Sequence, residues 1–442
     1  MGDIFKILLG TVAVPLVLGG AVLAVSYATQ KYNIDIIPAL SFLVATSPIW
    51  LPLLLFTLLR ERWMEYVRTK FAFENGRTTL RIKLPQDVFK SPEAMESVMA
   101  QIYNPNGPDN LWQAYIDGKH PLTFSFELVS IGGDVRFYIN VPTKKTRNSI
   151  EAQLYGQYPG IEIVEEPIDY TAEVVGDLDK WEMMAFHINK KNDQEFPIKT
   201  YIEFGLDKMP KEEEKFEPMA AMIEQLGNIK SDERIWIQIL AKPHDKKSFK
   251  TGDPVKKGTW EEGVFAKIDE IMKRNDSAKV NELGFREMNL LTKGEGDMVA
   301  TMERNVGKYA YEVAIRLIYA APVGRFQGDS LTILKSFTQY DIIKRNGLGV
   351  RWRTDFDYNW FSDRSGAIKR KWKKEELEYY KLRAYEQRDK KGGADKTKVW
   401  SVEELATIYH IPGRSVITPG LARIPSTRQA PPPNLPTGLP GI

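Results

Sequence analysis

Downstream of residue 77, apolar and polar positions alternate in ways that name the elements. "TTLRIKLP" places Leu80, Ile82 and Leu84 against Arg81 and Lys83, a strand with one buried face. Met95, Val98, Met99 and Ile102 then recur at helical spacing. "LTFSFEL" from Leu122 and "VRFYINV" from Val135 alternate again, and Gly132 and Gly133 between them signal a hairpin turn. Lys144 to Tyr158 is helical in pattern, with Ile150 and Leu154 stacked, and "IEIVEE" closes the unit as a strand. This order, β-α-β-β-α-β, is the ferredoxin-like split unit.

The order recurs. "IKTYIEF" from Ile198 reads as a strand, Met219, Met222, Ile223 and Leu226 as a helix, and "RIWIQILA" from Arg234 and "YEVAIRLIYA" from Tyr311 as strands. Leu331 to Tyr340 reads as helical and "GVRWRTD" from Gly349 as the closing strand. An insertion at about 242–310 carries helices around Trp260 to Arg274 and Glu295 to Lys308, with Met298 and Met302 as core contacts.

Two uncharged runs precede these units, Ile7 to Tyr27 and Ile36 to Leu59, each long enough to cross a bilayer as a helix. The expected fold class is therefore α+β, an N-terminal transmembrane helical hairpin followed by two ferredoxin-like units. Arg60, Arg62, Arg68 and Lys70 after the second run outnumber Lys31 between the runs, so both ends are expected on the cytoplasmic side of a bacterial inner membrane. The implied division is 1–71 anchor, 72–175 first unit, 176–365 second unit, 366–412 a charged helix with a short amphipathic helix, and 413–442 a proline-rich tail.

Composition narrows the chemistry. Of 442 residues none is cysteine, which excludes disulfides, thiol nucleophiles and thiolate metal sites. The four histidines, at 120, 187, 244 and 410, show no i, i+3 or i, i+4 pair, so no metal site and no cofactor is expected. No Walker A loop, Gly-x-Ser-x-Gly elbow, His-Glu-x-x-His helix or Gly-x-Gly-x-x-Gly turn occurs, and "ERNVGKYA" lacks the first glycine and the hydroxyl residue after Lys308. Glu212, Glu213 and Glu214 beside Lys211 and Lys215 read as a solvated helix start. The expectation is a protein that positions other molecules, without catalytic residues.

A net charge of +3 is small, but basic residues cluster locally. "KRKWKK" supplies Lys369, Arg370, Lys371, Trp372, Lys373 and Lys374; upstream, Arg351 and Arg353 interleave with Trp352, Tyr358, Trp360 and Phe361. Cations beside stackable rings suit nucleic acid, anionic lipid headgroups also fit, and a solvated face is the plain alternative. Homology-independent reading leaves a ligand-sensing or regulatory protein with a duplicated binding domain as the other functional class.

"FSFELVSIGGDVRFYINVP" from Phe124, "IEAQLYGQYPGIEIVE" from Ile150, and "SVEELATIYHIPG" through "APPPNLP" carry a resemblance. On these stretches the chain resembles the membrane-anchored, non-ATPase module of type IV secretion-like and conjugative DNA-transfer proteins that precedes a HerA/FtsK-class ATPase domain. Where the ATPase would begin, the sequence reads "TGLPGI", so nucleotide hydrolysis is not carried over. The resemblance implies a scaffold subunit, homo-oligomeric, holding a separate ATPase. Pro431, Pro432, Pro433, Leu435 and Pro436 are the candidate docking residues.

Overall fold

Strand after strand in this chain buries every second side chain against one layer of helices, and a computed structural model shows how the strands join. It describes residues 37–86, 90–105, 107–142, 144–174, 180–208, 217–245, 258–272, 291–326, 331–354, 366–384, 397–413, 416 and 418–424. Helix α1 (Ile37–Asn75) leads to β1 (Thr78–Pro85), α2 (Pro92–Gln101), α3 (Leu111–Tyr115), β2 (Phe124–Ile131), β3 (Asp134–Val141), α4 (Lys144–Gln157) and β4 (Glu162–Glu165). A second series follows: β5 (Trp181–Lys190), α5 (Pro218–Gly227), β6 (Arg234–Pro243), α6 (Trp260–Ile271), α7 (Lys293–Val306), β7 (Ala310–Pro322), α8 (Ile333–Ser336) and β8 (Leu348–Trp352). The chain closes with α9 (Ala367–Lys381), β9 (Lys398–Ser401), α10 (Val402–Ile408) and β10 (Arg423–Ile424).

Among the described residues ten strands form one sheet in the order β10-β1-β3-β2-β6-β7-β5-β8, with β4 also on β1 and β9 also on β7. Every pairing is antiparallel except that of β10 with β1. In each half the fourth strand lies beside the first and the third between first and second. The two halves are nevertheless not the separate ferredoxin-like units expected. Their outermost strands, β2 and β6, pair from Phe124↔Ala241 to Ile131↔Arg234. Left apart, each would present a row of unpaired backbone groups, and joining them satisfies both rows at once.

The β2–β3 turn shows why glycine is needed there. Gly132 and Gly133 have φ of +59° and +90°, and a Cβ on Gly132 would lie 2.5 Å from the Ser231 carbonyl oxygen.

The expected transmembrane hairpin is also corrected. Among the described residues no helix is long and apolar enough to cross a membrane. The second apolar run lies within α1, a helix of 39 residues that contains Pro48 and Pro52 and continues straight into the charged turns from Arg60 onward. Ser41, Thr46 and Ser47 further dilute its apolar stretch. The first run, Ile7 to Tyr27, and Lys31 lie outside the described residues. The multi-pass inner-membrane placement with a cytoplasmic C-terminal domain loses its support with the hairpin.

A third correction concerns the start of the second half. Residues 198–200 have no regular structure and 201–205 form turns, and the strand is "WEMMAFHINK", β5. Polar groups close those turns, because the Glu203 carboxylate accepts from the Thr200 amide at 3.1 Å and pairs with Arg345.

One face of the sheet carries the main core, built on α2, α4, α5, α8 and α10 through residues such as Val98, Leu154, Met222, Ile333 and Leu405. The opposite face holds a smaller cluster in which Leu377 and Tyr380 of α9 meet Val129, Tyr138, Trp236 and Ile318. Helices α6 and α7 pack on each other through Val264, Ile268, Val299 and Met302, and both start with capping boxes, Thr259 with Glu262 and Thr292 with Glu295.

Candidate functional site

The second sheet face has a feature that no motif announced. Five neighbouring strands bring one polar residue each to the same row: Glu127, Gln238, Arg316, His187 and Arg351. The registers align them, with Glu127 opposite Gln238, Gln238 opposite Arg316, Arg316 opposite His187, and His187 opposite Arg351. At a strand spacing of about 4.8 Å the row is about 19 Å long. Glu127, Gln238, Arg316 and His187 are buried, whereas Arg351, on the last strand, is exposed.

Helix α9 lies across this row and is fastened to it by charge. Glu376 accepts from Arg353 Nε at 3.0 Å and sits 3.2 Å from His187 Nε2. Two residues past the helix, Arg383 grips Glu127 with two parallel hydrogen bonds, of 2.7 and 3.1 Å, and reaches Asp169 at 2.7 Å. Tyr170 donates to Glu127 Oε2 at 2.7 Å and lies 3.0 Å from the Tyr380 hydroxyl. Gln238 Nε2 donates to Glu127 Oε1 and to the Tyr380 carbonyl, each at 3.2 Å. Arg316 donates through Nη2 to the Ala384 carbonyl.

These environments fix the protonation states. Burial opposes ionisation of Glu376, but His187 and Arg353 outweigh it and hold the carboxyl below its usual range. Burial likewise works against the charge of Arg383, and Glu127 more than restores it. Burial lifts the Tyr170 and Tyr380 phenols well above their usual value and brings Arg316 down to about 10. Glu127 with Arg383 and Glu376 with Arg353 are thus satisfied ion pairs beside neutral phenols, suited to fastening a helix, whereas Arg316 Nε and Nη1 and Gln238 Oε1 are buried without a hydrogen-bond partner.

The basic residues singled out in the sequence divide around this arrangement. Arg353 and Lys373 are buried, Lys369 and Trp372 are partly covered, and Arg351, Arg370, Lys371 and Lys374 are exposed. Lys371 lies 4.0 Å from Glu375, one turn on. Trp352 is 42% exposed and meets Phe186 edge-on at 4.8 Å. Tyr358, Trp360, Phe361, the 211–215 charge run and Pro431, Pro432, Pro433, Leu435 and Pro436 lie outside the described residues.

The root of the C-terminal segment is the second candidate. Strand β9 pairs with β7, and Ser401 caps α10 in a capping box with Glu404. Every residue of α10 is buried. Lys190 and Glu404, both with fully buried side chains, pair at 2.8 Å, and Glu403 receives Arg304 and Lys308, each at 2.9 Å. Tyr409 packs 5.3 Å from Phe126 and 5.8 Å from Phe137. The chain then returns to the sheet: the Val135 amide donates to the Gly420 carbonyl at 2.7 Å, Arg423 donates to the Gly413 carbonyl at 2.8 Å, and Arg423–Ile424 pairs with Leu84 and Pro85. A Cβ on Gly420 would fall 2.1 Å from the Gly133 carbonyl oxygen, so glycine alone permits this approach.

His410 ties the root to α5's entry. Its Nε2 lies 2.7 Å from a Glu217 carboxylate oxygen and its Nδ1 2.9 Å from the Ala406 carbonyl, two acceptors that call for the doubly protonated ring. Burial works against that charge, but Glu217 and the carbonyl outweigh it and raise the imidazole above its ordinary 6.5. A raised folded-state value contributes stability that is complete below the unfolded value and is lost as pH rises through the folded one. Denaturation of the full chain between about pH 6 and 9 is expected to show falling stability. His410→Asn should flatten that slope; an unchanged slope would assign the pH dependence elsewhere.

Among the described residues no group of three or more His, Asp and Glu side chains is arranged to hold a metal. A family model described as a domain of unknown function (DUF8128) matches residues 68–327. No curated protein and no solved structure matches the chain.

Proposed function

The chain belongs to the DUF8128 family, and from that premise we propose that it is a structural subunit of a type IV secretion-like apparatus for DNA or protein translocation, holding a separate HerA/FtsK-class ATPase. The observation that carries this reading is the rooting of the C-terminal segment. Residues 398–411 run through the main core, and 418–424 are stitched back onto β3 and β1. Whatever is attached beyond Ile424 is therefore held at a fixed point of a ten-stranded platform. A proline-rich continuation is suited to docking, because proline lowers the entropy lost when a peptide is captured by a partner's aromatic-lined groove. In this reading several copies surround the motor, and the chain itself breaks no bonds.

The test is recovery of a HerA/FtsK-class ATPase from the same genome when it is co-expressed with this chain. Deleting residues 430–442 should abolish co-purification while leaving the folded platform intact. Full recovery with the deleted chain would refute the docking role, and ATP hydrolysis by the purified chain alone would refute the division of labour.

A further inference from the structure

Helix α9 runs across the strands. Its C-terminal end meets β6 and β2, where Tyr380 packs 5.6 Å from Trp236 and Arg383 holds Glu127. Seven residues earlier, Glu376 has already reached His187 of β5 and Arg353, which directly follows the last strand, β8. At about 1.5 Å per residue, the helix start at Ala367 lies about 13 Å further on, more than two strand spacings. Its first two turns therefore overhang the sheet edge.

That overhang is basic. Arg370, Lys371 and Lys374 are exposed on it, and no acidic residue stands in the first turn. The helix dipole disfavours cations at this end, and Glu375, 4.0 Å from Lys371, offsets one of them, so an external anion would still be welcome there. Arg351 belongs to the same face, since it stands opposite His187, which touches Glu376. Trp352 emerges on the other side of the rim against Phe186. Adjacent positions of the edge strand thus offer a cation and an indole.

We infer that this rim, the first two turns of α9 with Arg351 and Trp352, binds single-stranded nucleic acid, phosphates on the cations and a base stacked on the indole. Anionic headgroups would satisfy the cations equally, but a membrane surface also rewards apolar side chains that insert. On the overhang only Ile368 is a large exposed apolar residue, at 37%. The inference stands apart from the tail and its ATPase, so either can fail alone.

The experiment is fluorescence anisotropy of the full chain with a labelled oligothymidine over a range of salt. The triple variant Arg370→Gln, Lys371→Gln, Lys374→Gln, all at exposed positions, should bind at least about tenfold more weakly, with a salt slope shallower by about two. Trp352→Ala should weaken binding at least about fivefold and Trp352→Tyr restore most of it, which a packing defect against Phe186 would not predict for binding alone. Binding of the triple variant equal to that of the unaltered chain overturns the inference. So does capture of the chain by phosphatidylglycerol vesicles without binding to the oligonucleotide.

Discussion

A chain ending at residue 327, where the family match stops, is expected not to fold. The cut removes β8 from the edge beside β5 and, more seriously, removes β9 and α10 from the main core. Trp400, Leu405, Ala406, Ile408 and Tyr409 are all at most 2% exposed there. At roughly 1.5–3 kcal/mol for each large apolar side chain, their loss is worth on the order of 10 kcal/mol, comparable to the whole stability of a domain. Lys190 would also be left buried without Glu404, and Arg304 and Lys308 without Glu403. Chains ending at 327 and at 424 can be compared by thermal unfolding and amide hydrogen exchange. A cooperative transition and protected amides in the shorter chain would show that the folding unit closes without its C-terminal root.

Glu127→Ala is expected to be the most damaging single substitution on the α9 face, costing about 3–5 kcal/mol. Its carboxylate receives Arg383 twice, together with Tyr170, Ser125 and Gln238. Removing it takes two of the hydrogen bonds from a guanidinium whose side chain is 5% exposed and leaves it Asp169 as its remaining carboxylate. The paired replacement Glu127→Leu with Arg383→Met should recover part of the loss, because the two apolar groups need no partner while Tyr170, Ser125 and Gln238 still lose their acceptor. Chemical denaturation of the single and double variants makes the cycle. A single-variant cost below about 1 kcal/mol would mean that α9 is held by Leu377, Tyr380 and the Glu376 pairs without help from Glu127.

Much of the local structure was legible. The alternation in "TTLRIKLP" and "VRFYINV", the Gly132–Gly133 turn, and the helical spacing of Met219, Met222, Ile223 and Leu226 each mark an element that the structure contains. "IKTYIEF" misled because Ile198 and Tyr201 are buried singly from turns closed by Thr200 and Glu203, and no periodicity distinguishes that from a short strand. The basic run around Lys371 was visible, but its division was not drawn. Leu377 and Tyr380 mark the inner stripe of α9, and Lys373 falls on that stripe at helical spacing. The row from Glu127 to Arg351 left only a faint signal, a polar residue between apolar neighbours in each strand. It becomes a row only when the registers are known.

From its order of residues alone the chain settled where many of the strands and helices form, and that no disulfide or thiolate site can exist, since backbone preference and side-chain period act over a few neighbours. Only the tertiary structure decided that β2 and β6 fuse two strand sets into one sheet, that α9 is fastened through buried charges, and that the segment before the proline-rich run is core. Those outcomes depend on which edges meet and which charges lose water together, and residues more than a hundred positions apart share that choice.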